Sequence, residues 1–442
     1  MRKHKESFAK RASVLPVPFL LETQLASVPS EVLLFEGGPR LGGNIHTFRH
    51  AGFVADAGPD SWVSTKPQAT ALAKEIGLED DLIGTIPDNR RVYIAWGGKL
   101  HALPEGLVLG VPTEISPMLG TELFTWDSKL RMGLDLLVPP RTFGPSDDES
   151  IAAFVGRRLG DDVADRLVGP LLSGIFAGDA QDLSIRATFP QLVEAEQKHG
   201  SLIRAMRAQK AARKGGSSGA AAGSMFVSLV RGMGDFVTTL AHRLKDALVL
   251  TETPVSAIER LPDGDPRGRF VVETAAGPRF ADAVVGTTPT HLFAPLVREL
   301  DPALADAFGE IQYVSTATVF LGFKKRDVAH PLDASGFIVP RSLGRPMLAS
   351  TWVSSKWEHR APSGHALLRV PQQQRGVALV FPRGQPGVRP GADLGELFVD
   401  LGRRDVATRH VDEVEARALL QEPDGNRRSF RFAVFGRGFG QL

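Results

Sequence analysis

The 442-residue chain contains no cysteine. That absence excludes disulfides, thiol nucleophiles, iron–sulfur clusters and cysteine-based zinc sites, and it leaves the redox compartment unread. Long apolar runs are missing as well. Nothing approaches the roughly 18 consecutive apolar residues of a spanning helix, so any membrane contact is expected to be peripheral. Neither sign of charge is in excess: Lys+Arg 52 against Asp+Glu 50 leaves +2, which gives no electrostatic footprint for nucleic acid. No metal site and no nucleophile elbow is expected. Glycine is absent before Gly37. Residues 1–30 carry Arg2, Lys3, Lys5, Lys10 and Arg11 ahead of SVLPVPFLL, but Pro16 and Pro18 interrupt that run and no A-x-A site follows, so a signal peptide is not expected.

What is present is ordinary globular material, 43% hydrophobic and 23% charged, with core enough for two or three domains. Residues 31–35 (EVLLF) read as a short strand ending at Glu36 and the glycine-rich turn GGPRLGG. A second strand is expected over 53–57, closing on the turn at Ala57–Ser61. The spacing of Ala69, Leu72, Ala73 and Ile76 predicts a helix within 66–78, stopped by Gly77. Residues 91–103 read as a hairpin turning at Gly97–Gly98. From about 117 to 212 the pattern is helical, with a helix start at Asp147–Ser150. The stretch 214–224 (KGGSSGAAAGS) reads as an exposed, mobile loop. Strand patterns resume over 248–261, 269–287 and 315–323. An α/β pattern, a helical insert and a return to β suggest one nucleotide-type domain interrupted by a second.

The chemistry-bearing signal is a strand that ends in an acid and runs into glycines, EVLLFEGGPRLGGN. In a dinucleotide fold such an acid hydrogen-bonds ribose hydroxyls. Gly42 and Gly43 would allow close backbone approach to a pyrophosphate, and Arg40 could contact a phosphate. An ordinary strand and turn with a solvated glutamate explains the same residues. Asp56 and Asp60, flanking Gly58 and Pro59, read as turn-shaping residues ahead of acid–base catalysts. Arg90 and Arg91 could hold a substrate carboxylate bidentately, or form a solvated basic turn.

Taken together, FEGGPRLGGNIHT (35–47), FVADAGPDSWVSTKP (53–67), GGKLHALPEGL (97–107), DESIAAFVGRRLGDDVADRL (148–167) and FAGDAQDLSIRATFPQLVEAE (176–196) resemble one family. It is protoporphyrinogen oxidase, an FAD enzyme of haem biosynthesis, and the likeness spans about residues 31–370. The resemblance implies an α/β fold of amine-oxidase type: a Rossmann-like FAD domain interrupted by a mostly helical domain and a mixed β-sheet substrate domain. Its parts would be 31–95 and 225–290 for FAD, 96–212 for the helical, membrane-facing domain, 213–224 for the loop, and 291–370 for the substrate sheet.

By the same resemblance Glu36 and Gly37 meet the adenosine ribose, and Asn44 contacts FAD. Gly58, Pro59, Asp60 and Ser61 line the flavin, while the backbone of Val255 faces the adenine. Arg91, or Arg90 if the register slips by one, would take a propionate, and Gly336 and Ile338 would help clamp the macrocycle. The implied reaction is six-electron oxidation of protoporphyrinogen IX with O₂ as acceptor, the cofactor carrying the chemistry and no side-chain base being needed. Coproporphyrinogen III is the alternative substrate. The implied setting is cytoplasmic, peripheral to a membrane, with a homodimer as one arrangement and no nucleic acid.

Two departures from that family stand out. A G-x-G-x-x-G turn belongs about twenty residues before Glu36, yet the window there reads RASVLP. The last 72 residues, 371–442, hold 11 arginines but no lysine, isoleucine, tyrosine or tryptophan. Out-of-frame reading of a GC-rich gene produces such a composition. Both ends, 1–30 and 371–442, are therefore expected to be atypical, and an inactive remnant without stable FAD binding is the reading opposed to an active oxidase.

Overall fold

The computed structural model describes residues 31–373 except 109, 115, 145–146, 177, 214–223, 312, 314–315 and 346, together with Phe19 and the backbone of 398–400 and 431–435. The expectations for 1–30, for most of the 214–224 loop and for most of 371–442 lie outside the described residues. Ser224, the last residue of the expected mobile loop, is buried and bonded through its hydroxyl to the backbone N–H of Thr85 at 3.0 Å. The described chain divides into two compact units.

The first unit gathers residues up to 49, 54–83 and 225–313. Leu33–Phe35 and Leu248–Leu250 pair in parallel, Leu34 facing Val249. Parallel pairing needs a crossover, and the helix Gly234–Arg243 leads into the second strand. Its apolar residues Phe236 and Leu240 pack with Leu34, Ala73, Ile76, Leu229 and Phe19. The expected helix is found at Pro67–Glu75, with proline at its first position, where a missing N–H costs nothing. An antiparallel meander, Val255–Arg260, Phe270–Thr274 and Arg279–Ala281, lies in the same unit.

The second unit holds 50–53, 84–224 and the described residues after 313. Its sheet runs in the order 398–400, 431–435, Thr316–Lys324, His365–Gln373, Ala349–Trp352, Gly336–Ile338, Tyr93–Trp96, Lys99–Ala102. The last two strands are the hairpin expected over 91–103. Two short segments beyond 371 thus add strands outside Thr316–Lys324.

The helical part has a core of Phe154, Leu159, Leu167, Ile185 and Leu202, all fully buried. Ser150 starts the helix Ile151–Leu159 by accepting from the N–H of Ala153. Inside this core Arg158 is wholly buried. Its Nε donates to Asp135 at 2.6 Å, and its other nitrogens reach the carbonyls of Asp135, Val138 and Gly200 at 2.8–2.9 Å. Asp135 in turn accepts from the Ser201 hydroxyl and the Ile203 N–H. Glu196 is buried beside them and accepts from both terminal nitrogens of Arg157, at 2.6 and 3.1 Å. A buried ion pair holds only when its remaining donors and acceptors are also bonded, and those of Arg158 and Asp135 are.

Candidate functional site

Each group of sequence-identified residues falls in one unit. Glu36, Gly37, Arg40, Gly42, Gly43, Asn44, Gly58, Pro59, Asp60, Ser61 and Val255 all belong to the first; Arg91, Gly336 and Ile338 belong to the second.

In the first unit the strand Leu33–Phe35 delivers Glu36 at its carboxyl end. The N–H of Glu36 donates to Leu250, and its side-chain Oε1 accepts from the Gly38 N–H at 2.8 Å. The turn 251–254 lies alongside: the N–H groups of Glu252 and Thr253 donate to the carbonyls of Gly38 and Glu36, both at 2.9 Å. Val255 then opens the meander, so its backbone sits just past this turn. Glu252 is held at φ 51, a left-handed conformation uncommon outside glycine.

The glycine loop that follows is open on its outer side. Gly43 has φ +52, and a Cβ there would meet nothing within 4 Å, whereas one on Gly42 would strike Val237 at 2.8 Å. Arg40 braces the loop from outside, donating to the carbonyls of Gly43 at 2.7 Å and of Leu41 and Ile45 at 3.2 Å. Beyond the loop, Gly58 lies against Asn44 so closely that a Cβ would come within 1.8 Å of the Asn44 carbonyl oxygen. Ser61 donates to the Asp60 carboxylate, and the Ser228 hydroxyl donates to the Asp60 carbonyl at 2.6 Å.

These residues fit the adenosine half of FAD. An acid at the end of a parallel strand, bonded to one N–H of the next turn and half exposed, is the arrangement that receives ribose hydroxyls. The stretch that would cradle the pyrophosphate falls in 1–30.

Sequence reasoning missed what Asp56 does. It lies buried on the strand Phe53–Asp56, accepting from the Thr47 hydroxyl and from the Met233 N–H at 2.9 Å. Thr47 itself accepts from the Gly234 N–H at 2.7 Å. Carboxylate and hydroxyl together satisfy the start of the helix Gly234–Arg243. The pattern D-x-x-x-D around Gly58 and Pro59 carries no sign of that long-range partnership.

In the second unit Arg91 donates to Asp333 at 3.0 Å, and the Tyr93 hydroxyl donates to the other oxygen of Asp333, also at 3.0 Å. Arg90 turns elsewhere, toward the Thr85 carbonyl at 3.5 Å. Burial, with the Asp333 hydrogen bond next, pushes the Tyr93 hydroxyl above the ordinary tyrosine range. Burial also pushes His330, packed on Trp352 at 4.6 Å and near Tyr93 at 5.9 Å, below the ordinary histidine value.

Gly336 and Ile338 lie on a fully buried strand between Ala349–Trp352 and Tyr93–Trp96. A Cβ on Gly336 would meet the Ser350 carbonyl at 2.0 Å, so close strand approach explains this glycine. Ile338 packs into the helical core. The family-like run 176–196 is likewise occupied with packing. Ser184 starts the short helix Ile185–Thr188, and its hydroxyl, as the main cause, lowers the Asp148 carboxyl; Glu196 is the buried partner of Arg157. Among the described residues no group of three or more His, Asp or Glu is placed for a metal. His46 and His50, four apart, lie at and beside the strand Thr47–His50 instead of on a helix.

Comparison with known proteins places these observations. Residues 23–375 match the family described as flavin containing amine oxidoreductase, and the chain belongs to that family. It is 33% identical over 372 residues to the coproporphyrinogen III oxidase of Bacillus subtilis (strain 168), covering 84% of this chain and 77% of that one. With protoporphyrinogen oxidase 1 of Arabidopsis thaliana chloroplasts it shares 29% over 361 residues, covering 79% and 65%. A crystal structure of a protein assigned as protoporphyrinogen oxidase from Exiguobacterium sp. 255-15 superposes with TM-score 0.69 at 32% identity, covering 82% and 76%. The chain is thus an FAD-dependent oxidoreductase of amine-oxidase architecture.

Proposed function

We propose that this chain oxidises protoporphyrinogen IX to protoporphyrin IX in haem biosynthesis. The observation that carries the reading is identity to porphyrinogen oxidases along most of the chain, 29% with the protoporphyrinogen oxidase of Arabidopsis over 79% of it and 33% with a coproporphyrinogen III oxidase over 84%, in a molecule whose Glu36 stands ready for a ribose. Bound FAD supplies the redox chemistry: three two-electron oxidations remove six electrons and six protons from the tetrapyrrole, and three O₂ become three H₂O₂. The chain's own part is to hold and orient. Glu36 anchors the ribose, the Gly42–Gly43 turn admits the cofactor backbone, Asn44 and Gly58–Ser61 form the wall beyond it, and Arg91 receives a propionate. Coproporphyrinogen III is the second reading, favoured because the 33% relative carries that name while the protoporphyrinogen oxidase of Arabidopsis stands at 29%.

A peripheral, cytoplasmic membrane contact suits a poorly soluble substrate. Among the described residues no helix is long and apolar enough to cross a membrane. The helix Trp126–Gly133 and the turn Leu134–Leu136 instead expose one apolar stripe: Trp126 (65% exposed), Leu130 (70%), Leu134 (46%) and Leu137 (77%). Their spacing of four, four and three keeps them on one face. Lys129 lies over the Trp126 ring, and exposed Arg204 reaches the Leu136 carbonyl, so cations flank the stripe as at an anionic lipid surface.

The deciding experiment adds excess FAD to the purified chain, desalts it, records the visible spectrum and then assays porphyrin fluorescence with each porphyrinogen. A retained flavin spectrum and oxygen-dependent turnover are expected. A colourless protein would leave the inactive-remnant reading in place.

A further inference from the structure

The segment 330–335 is built around one carboxylate. Leu332 is buried yet held at φ 54, a strained left-handed backbone that persists only where surrounding structure over-determines it. Here it is over-determined. The Leu332 N–H donates to His330 Nδ1 at 3.0 Å, and its side chain packs with Ala334, Phe337 and Trp352. Ser335 is tied at both ends: its N–H donates to the Arg91 carbonyl at 2.8 Å, its hydroxyl to the Asn89 carbonyl at 2.8 Å, and its own carbonyl accepts from Trp352. Asp333 is therefore presented from a rigid turn, one oxygen on the Tyr93 hydroxyl and the other on Arg91.

That arrangement is poorly explained by stability. The Arg91–Asp333 pair is well exposed, at 57% and 38%, and exposed pairs contribute little to stability. What it does accomplish is to fix a long, flexible cation. With one nitrogen on Asp333, the planar guanidinium is restricted in orientation, and its remaining donors keep the fork geometry needed for a bidentate grip on a second carboxylate.

Building on the porphyrinogen reading, we propose that Asp333 is the positioning residue of the carboxylate site: braced by Tyr93 and the Leu332 turn, it orients Arg91 to receive a propionate of the tetrapyrrole. Arg90 instead turns its guanidinium to the Thr85 carbonyl.

The test uses the FAD-loaded enzyme with two- and four-carboxylate porphyrinogens, and in parallel measures binding of the oxidised porphyrins by fluorescence quenching. Asp333→Ala is expected to raise KM and porphyrin Kd about tenfold, the size of one lost charge-assisted contact, with kcat within about twofold and FAD affinity unchanged. Asp333→Asn, which keeps an acceptor for Arg91, should recover most of the affinity and guards against a folding artefact. Arg91→Ala and Asp333→Ala should be non-additive, because one acts through the other. A fall in thermal stability without change in KM or porphyrin Kd, or full additivity with Arg91→Ala, overturns the proposal. If wild type binds porphyrin but turns nothing over, the oxidase reading fails while the Asp333 effect on binding still stands or falls by itself. If wild type binds no porphyrin, both fail.

Discussion

Glu36 shows how little of a residue's role is visible in its neighbours along the chain. The sequence offered an acid after EVLLF and before glycines, which fits equally well a solvated strand end. The structure adds a parallel partner strand, a bond from the Gly38 N–H, and the turn 251–254 folded alongside. A hydrogen bond to a charged group contributes about 1.5–3 kcal/mol, so Glu36→Ala is expected to weaken FAD binding by roughly 10–150-fold, read by titrating flavin fluorescence; unchanged affinity would remove Glu36 from the site. Gly58 answers to a harder constraint. With the Asn44 oxygen 1.8 Å from any added Cβ, Gly58→Ala must move one backbone segment, and overpacking of that kind costs typically about 1–3 kcal/mol. Loss of bound flavin and a lowered Tm are the expected outcomes, whereas Gly43→Ala, facing open space, should cost only its left-handed φ.

At the scale of the element, the signals that were legible in the sequence are local ones. Helix Pro67–Glu75, the hairpin at Gly97–Gly98 and the Ser150 helix start follow from periodicity, turn chemistry and capping. The illegible parts are partnerships far apart in sequence. Arg158 looks like one more charge in VGRRLG, yet it is a wholly buried hub joining Asp135 and Gly200. Removing one partner of a buried pair costs about 3–5 kcal/mol. Arg158→Met should therefore lower the urea midpoint sharply, and pairing it with Asp135→Leu should recover part of the loss; a surface-like effect below about 0.5 kcal/mol would contradict the burial.

His330 gives its segment a pH dependence of known sign. Burial lowers its pKa from 6.5, opposed by nearby Asp333, with Tyr93 and Arg91 the other ionisable groups at hand. The unfolded chain takes up the proton first as pH falls, so stability is fully present above 6.5 and declines below it. Urea midpoints at pH 7.5 and 5.5 should differ more in wild type than in His330→Gln. An equal difference in both would assign the slope to other groups.

For the whole molecule, the distribution of site residues sets the expected response to cofactor. Every residue read as touching FAD lies in the unit built from 31–49, 54–83 and 225–313, and every residue read as touching tetrapyrrole lies in the other. A ligand that binds only the folded state stabilises it by RT ln(1 + [L]/Kd), about 2.7 kcal/mol at a hundredfold excess over Kd. For units of this size each kcal/mol moves Tm by about 2–4 °C, so saturating FAD should raise the melting point by roughly 5–10 °C. Where that stabilisation is felt is the sharper question. Residues that contact a ligand lose local opening most. Hydrogen exchange with FAD should therefore slow most over Leu33–Arg49, Val54–Ser61 and Thr251–Val255, and least along the exposed stripe Trp126–Leu137. A porphyrin without flavin should reverse the order, protecting the strand Tyr93–Trp96 and the turn at Leu332–Ser335 first. Equal protection of both units by FAD would break the link between unit and ligand, and a porphyrin that left Tyr93–Trp96 and Leu332–Ser335 unprotected would remove Arg91 and Asp333 from the substrate.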